Sequence, residues 1–227
     1  ADLQLAAGFL WGEGFLTDPS QLVTVKVCGD RNLTPRQRAN VVIAEVTNDA
    51  PDFSRQMDRR FTMNSACGVC GSENISDLHK RGIKKVSATT KSDTELSSLT
   101  ELLDKNQAIF SKTGGLHAAL LINPAGEIKY SKEDVGRHNA VDSISGLMWL
   151  ASKPGKDLIF FTTGRLTSEM VIKGAQMGIP FLLTRSGVTL MGLELARKTN
   201  LTILSRCSGK HFEIYNAPER VIFNQNT

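Results

Sequence analysis

The chain has 227 residues, 41% apolar and 22% charged, with a net charge of +4 and a pI near 8.9. These values fit a globular protein of one large domain or two small ones. No apolar run reaches the roughly 18 residues that a membrane span needs, and the positive charge is too thin for a nucleic-acid-binding stripe.

In chain order, residues 3–11 predict an apolar opening helix, and 21–28 and 40–47 read as β-like runs. A cysteine loop follows, with a short helix at 75–80. Residues 94–110 have helical spacing, with Leu96, Leu99, Leu103 and Phe110 on one stripe. Then come a strand at 116–122, a turn at Pro124-Ala125-Gly126, a short strand at 127–130 and a helix over 137–151. Strands at 157–162, 180–184, 201–205 and 212–215 alternate with helices at 167–177 and 189–198. Strand–helix–strand alternation with short connections predicts an α/β sandwich with a largely parallel sheet. The change in texture near residue 90 separates an N-terminal region, 1–90, from an α/β region, 91–227. The boundary is soft, and the two can form one domain.

Cys67-Gly68-Val69-Cys70-Gly71 is the motif richest in chemistry. A CxxC pair can be half a zinc site, a dithiol switch, or a sulfur-handling nucleophile with a second thiol beside it. Zinc would need further ligands, and Cys28, His79 and Cys207 would have to converge from far apart. A thioredoxin-type switch opens a long helix after a strand, and the context here does not match. A sulfur relay suits glycines on both sides, which let a loop visit a donor and then an acceptor. Arg55, Arg59 and Arg60 precede the loop and Lys80, Arg81, Lys84 and Lys85 follow it. They form either a solvated face or a cationic surround that lowers thiol pKa.

Ligands of open α/β sheets bind beyond the carboxyl ends of strands. Gly164 and Arg165 follow one strand and Arg185 follows the next, each before a helix start. These are anion-binding turns or plain N-caps. His117 sits on an otherwise apolar strand, as a core histidine or a site residue. Around the next helix start, Asp134 can cap, and the Asp142 carboxylate can orient His138 one turn away. Arg206, Cys207, Ser208, Gly209, Lys210 and His211 form a polar loop with more cationic character than a turn requires.

Together, Cys67-Gly-Val-Cys70-Gly71, Glu133-Asp134-Val135-Gly136-Arg137-His138, Ser168-Glu169-Met170, Tyr215-Asn216-Ala217-Pro218-Glu219-Arg220 and the opening 2–14 resemble the formate dehydrogenase accessory sulfurtransferases, the FdhD family. The resemblance covers essentially the whole chain. Family members normally start earlier with a β-rich segment, so the sequence reads as N-terminally shortened. The resemblance implies an α/β/α sandwich like that of cytidine deaminases, with a mixed sheet and a smaller N-terminal β-containing region, in a cytoplasmic homodimer. It implies a sulfurtransferase that accepts persulfide sulfur from a cysteine desulfurase. That sulfur passes to the molybdenum (or tungsten) bis-guanine-dinucleotide cofactor, which a guanine nucleotide can mimic, for formate dehydrogenase. Cys67 would carry the persulfide, Cys70 would assist, and the loop 206–211 would contact the cofactor. Gly164, Arg165, Arg185, His117 and His138 would complete that pocket. No metal ligand set, nucleic acid or membrane is implied. The rival reading is a chaperone that binds the finished cofactor without sulfur chemistry. Deaminase chemistry is not supported: Ala118-Ala119 follow His117, and the order is the reverse of H-x-E…P-C-x-x-C.

Overall fold

The apolar runs at 159–162, 181–184 and 202–205 become the buried centre of a six-stranded sheet in the computed structural model, which describes residues 2–50 and 83–224. These residues group into two units, one drawn from 2–50 and 142–153, the other from 83–141 and 154–224.

In the first unit, helix α1 (Asp2–Gly12) packs on the C-terminal part of α5 (Arg137–Leu150). The contact is backbone-close: a Cβ at Gly8 would run into the Asp142 carbonyl, and one at Gly146 into the Gln4 carbonyl. Trp11 stacks on Trp149 with ring centroids 6.1 Å apart, closing a small core with Ala7 and Leu16. Strands β1 (Leu22–Val27) and β2 (Val42–Val46) pair antiparallel, and between them lies the one-turn helix α2 (Pro35–Ala39). Thr34 and Gln37 form its capping box.

The second unit holds the large sheet. Its strands are β4 (His117–Ile122), β5 (Ile128–Asp134), β6 (Ile159–Thr162), β7 (Phe181–Thr184), β8 (Thr202–Ser208) and β9 (His211–Asn216), in the order β5-β4-β6-β7-β8-β9. Only β6, β7 and β8 run parallel; the β5–β4, β4–β6 and β8–β9 pairs are antiparallel. The sheet is therefore mixed, less parallel than the alternation alone predicts. On one face, Leu96, Leu99 and Leu103 of α3 (Asp93–Lys105) cluster with Leu120, Phe161, Phe181, Leu183 and Leu204. On the other, α6 (Ser168–Gln176) lies so close that a Cβ on Gly174 would stand 2.8 Å from the Leu182 methyls. Helices on both faces give an α/β/α sandwich. Helix α7 (Leu190–Thr199) follows β7, and a two-residue parallel ladder joins β3 (Lys91–Ser92) to β10 (Val221–Ile222).

Three boundaries differ from the sequence reading. Helix α3 stops at Lys105, where the Asn106 N–H turns back to the Leu103 carbonyl. Phe110 instead starts a one-turn helix, α4 (Phe110–Thr113), whose N-terminal N–H groups at Ile109 and Phe110 donate to the Glu133 carboxylate at 2.9 and 2.8 Å. Strand β5 runs on to Asp134 because β4 pairs with it as far as His117. Strand β8 continues to Ser208 through an irregularity at Arg206, which has φ +54°. The segment 75–80 lies outside the described residues.

Candidate functional site

Parallel β6, β7 and β8 end on one edge of the sheet, and antiparallel β4 begins there. Two strand-to-helix turns with the same construction meet at this rim. In each, a buried threonine at the strand's end accepts from the N–H two residues on: Gly164 N–H to Thr162 Oγ1 at 3.1 Å, and Ser186 N–H to Thr184 Oγ1 at 3.0 Å. Each turn then adds one parallel bridge residue, Leu166 opposite Val188. Each ends on a threonine N-cap, Thr167 for α6 and Thr189 for α7. The turns are stitched together, with Arg185 N–H donating to the Thr162 carbonyl and Arg206 N–H to the Ser186 carbonyl.

Around the first turn the sheet gathers titratable groups. His117 opens β4 half-buried, with Nδ1 3.4 Å from Thr163 Oγ1; that hydroxyl also accepts from the Ala118 N–H at 2.9 Å. Burial first, then Arg137 with His138 and Arg165, pushes the His117 imidazole below its ordinary pKa. Gly164 is required here: a Cβ would stand 2.8 Å from Arg137 Cβ, so the start of α5 lies directly over the turn. His138 Nε2 lies 2.8 Å from Glu169 Oε2. That contact is the main reason the Glu169 carboxyl sits below its usual range, against the opposing push of burial. The carboxylate beside His138 thus comes from α6, where helical spacing had pointed to Asp142; Asp142 is itself buried. Asp134 accepts from the Gly136 N–H and from Asn139 Nδ2, fixing the approach to α5.

The second turn is plainer. Arg185 is exposed and its Nη1 pairs with Asp104 Oδ1 of α3 at 2.5 Å. The β8–β9 hairpin supplies Arg206, Ser208, Gly209, Lys210 and His211, all exposed. Its tip is held by the Thr100 hydroxyl, which donates to the Gly209 carbonyl. Cys207 differs from its neighbours. It is 1% exposed, lies in the hydrophobic core, and burial lifts its thiol to about 12. Its side chain is core, and only its backbone belongs to the loop.

The structure therefore brings His117, His138, Gly164, Arg165, Arg185 and the 206–211 hairpin to one rim. Sequence reasoning missed Arg137, Thr163 and Glu169 as members. The first adjoins His138, the second adjoins Gly164, and the third belongs to the Ser168-Glu169-Met170 motif, so each stood next to a residue already chosen. Cys67, Cys70 and His79 lie outside the described residues. Among the described residues no cluster of His, Cys, Asp or Glu could hold a metal, and no helix is long and apolar enough to cross a membrane.

Fold and rim define an α/β protein that presents cations and backbone donors beyond the carboxyl ends of its parallel strands. The chain belongs to the FdhD/NarQ family, whose model matches residues 1–222. A relative from Sulfurisphaera tokodaii, named sulfur carrier protein FdhD, is 37% identical over 97% of this chain and 80% of its own. One of the same name from Streptomyces coelicolor is 31% identical over 97% and 79%. The crystal structure of a formate dehydrogenase accessory protein from Desulfotalea psychrophila is similar, with a TM-score of 0.70 and 25% identity over 96% of this chain and 79% of that one.

Proposed function

We propose that this chain is a sulfurtransferase that takes sulfur from a cysteine desulfurase as a persulfide on Cys67. It hands that sulfur to a molybdenum bis-guanine-dinucleotide cofactor destined for formate dehydrogenase, acting in the cytoplasm as a homodimer. The observation that carries the reading is the convergence of the cationic turns and hairpin on one rim, in a chain whose sequence holds the CxxC pair and whose relatives are named sulfur carriers. The cofactor is a substrate here, and its pyrophosphates and guanines match what the rim offers: Arg165 and Arg185, two helix starts, and the polar hairpin.

The sulfur step balances without an added oxidant. The Cys67 thiolate attacks the terminal sulfur of the donor persulfide; a new S–S bond forms, the donor S–S bond breaks, and the donor leaves as a thiolate. Release of that terminal sulfur as hydrosulfide needs two electrons, and the second thiol supplies them. In the assisted route the Cys70 thiolate attacks Cys67 Sγ, expels the terminal sulfur as hydrosulfide and leaves a Cys67–Cys70 disulfide, which a dithiol reductant returns to the starting state.

Mass spectrometry after incubation with a desulfurase and cysteine tests loading. A gain of ~32 Da on the peptide spanning Cys67 and Cys70 is the expected result, absent in Cys67→Ala and retained in Cys70→Ala. A Cys67→Ala protein that still supports cofactor sulfuration and formate dehydrogenase activity would overturn the relay and favour a binding chaperone.

A further inference from the structure

The edge of the large sheet opposite the rim carries a second surface. Here the chain that follows the CxxC region is tied down. At the end of α7, Val86 N–H donates to the Thr199 carbonyl at 2.9 Å and Asn200 Nδ2 donates to the Val86 carbonyl at 3.1 Å. Ser87 Oγ donates to the Lys156 carbonyl at 3.4 Å, just before β6. Arg220, itself buried, donates to the Asn200 carbonyl at 2.6 Å and so brings β10 alongside. These bonds gather exposed cations from three separate segments: Lys84 and Lys85, Lys156, and Arg197 and Lys198. The carbonyl end of α7 accounts for Arg197 and Lys198. It does not account for the lysines that other segments bring beside it. Asp157, Glu194 and Glu219 are the acids on or next to these segments, and none is ion-paired with these cations among the described residues. Beside the cations stands an ordered apolar pair. Ile222 and Phe223 are 52% and 60% exposed, although Ile222 is in register with Ser92 and Asn224 bonds Asp93 and Thr94. Large apolar side chains held in solvent beside cations without acid partners are the components of a protein-binding face.

We propose that this edge is a docking face for the sulfur-donating protein, which meets it with an acidic surface and a cavity for Phe223. This rests on the functional reading above and names where its donor sits. Two placements favour the donor over other partners. The face is built on the chain that directly follows the CxxC region, so a protein held here stands at the root of the segment that carries Cys67. It also lies at the amino ends of β6 and β8, whereas the rim lies at the carboxyl ends of the parallel strands. The four residues of β6 alone separate the two edges by about 13 Å. Donor and acceptor therefore need not compete for one surface. The cations steer encounter and set its salt dependence, and the apolar pair slows dissociation.

Binding of a cysteine desulfurase to the full chain, followed by biolayer interferometry, tests this. Lys84→Glu combined with Lys85→Glu should weaken binding about tenfold at low salt, mainly through slower association, and the gap should narrow at high salt. Phe223→Ser should weaken it about tenfold through faster dissociation. Lys112→Glu combined with Lys132→Glu, the same charge change on α4 and β5, should alter it less than about twofold. GDP should not displace the desulfurase. The proposal is overturned if wild-type protein does not bind or binds with no salt dependence, if the Lys84 and Lys85 pair or Phe223→Ser binds as wild type does, if the control pair loses as much, or if GDP competes. The wild-type salt dependence is read first, so a poorly folding variant does not decide the outcome. Loss of binding to anionic phospholipid vesicles, or a shift from dimer to monomer in ultracentrifugation, with desulfurase affinity unchanged, would assign the face to a membrane or to a second copy and overturn the proposal as well. Persulfide loading of Cys67 from a small-molecule persulfide, with no desulfurase present, reports separately on the functional reading.

Discussion

The turns after β6 and β7 are built to one plan and equipped differently. Both use a strand-end threonine to hold the N–H two residues on, a bridge residue (Leu166 or Val188) and a threonine cap. The β7 turn spends these parts on itself: Thr189 caps α7 and Arg185 pairs with Asp104. The β6 turn is overlaid by Arg137, flanked by His117 and His138, and leaves its cap hydroxyl without a partner among the described residues. On the proposed function, the binding site is a common scaffold plus what neighbouring elements bring to one copy of it.

The sharpest way to break this comparison is to add one methyl group to each turn. Gly164→Ala drives a Cβ into Arg137 and should cost about 1–3 kcal/mol in urea unfolding, with weakened nucleotide binding. At Gly187 an added Cβ meets nothing within 4 Å, so Gly187→Ala should stay within ~0.5 kcal/mol of wild type. Equal costs would mean that α5 does not lie over the β6 turn.

The caps should invert that order. Thr189→Ala removes a working cap and should lower stability by about 1 kcal/mol. Thr167→Val replaces a buried hydroxyl that makes no bond among the described residues, and should be near neutral in thermal unfolding.

A smaller effect separates the turns by pH. The Glu169 carboxyl is held below its usual range, so its ionised form stabilises the fold. That contribution is complete above the unfolded carboxylate pKa and is lost as pH falls through the lower folded value. Glu169→Gln should therefore be less stable than wild type near neutrality, and the gap should close in acid, as followed by unfolding at a series of pH values.

The smallest effect lies at the β7 turn. Asp104→Asn releases Arg185 from a pair whose side chains are 54% and 38% exposed, which costs under ~1 kcal/mol. Pyrophosphate affinity should rise by only about two- to threefold. A large rise would make Arg185 the dominant anchor.

Much of this architecture was legible in the sequence. The buried strands 159–162 and 181–184 are continuous apolar runs, and glycine with arginine after each marked the rim. Tyr130-Ser131-Lys132-Glu133-Asp134 hid the length of β5, because an edge strand tolerates polar residues that read locally as caps. The partner of His138 was hidden for another reason: spacing along one helix offers Asp142, whereas Glu169 arrives through the packing of α6. Cys207 looked like part of a polar loop because Arg206 and Ser208 flank it. Pairing that extends β8 to Ser208 places that thiol on the core side.

The central claim is that the β6 turn holds the acceptor more strongly than its twin does. GDP affinity measured for wild-type, Arg165→Ala and Arg185→Ala proteins tests it most directly. The account predicts a loss of about tenfold or more for Arg165→Ala and no more than about threefold for Arg185→Ala. Equal losses, or the larger loss at Arg185, would contradict it.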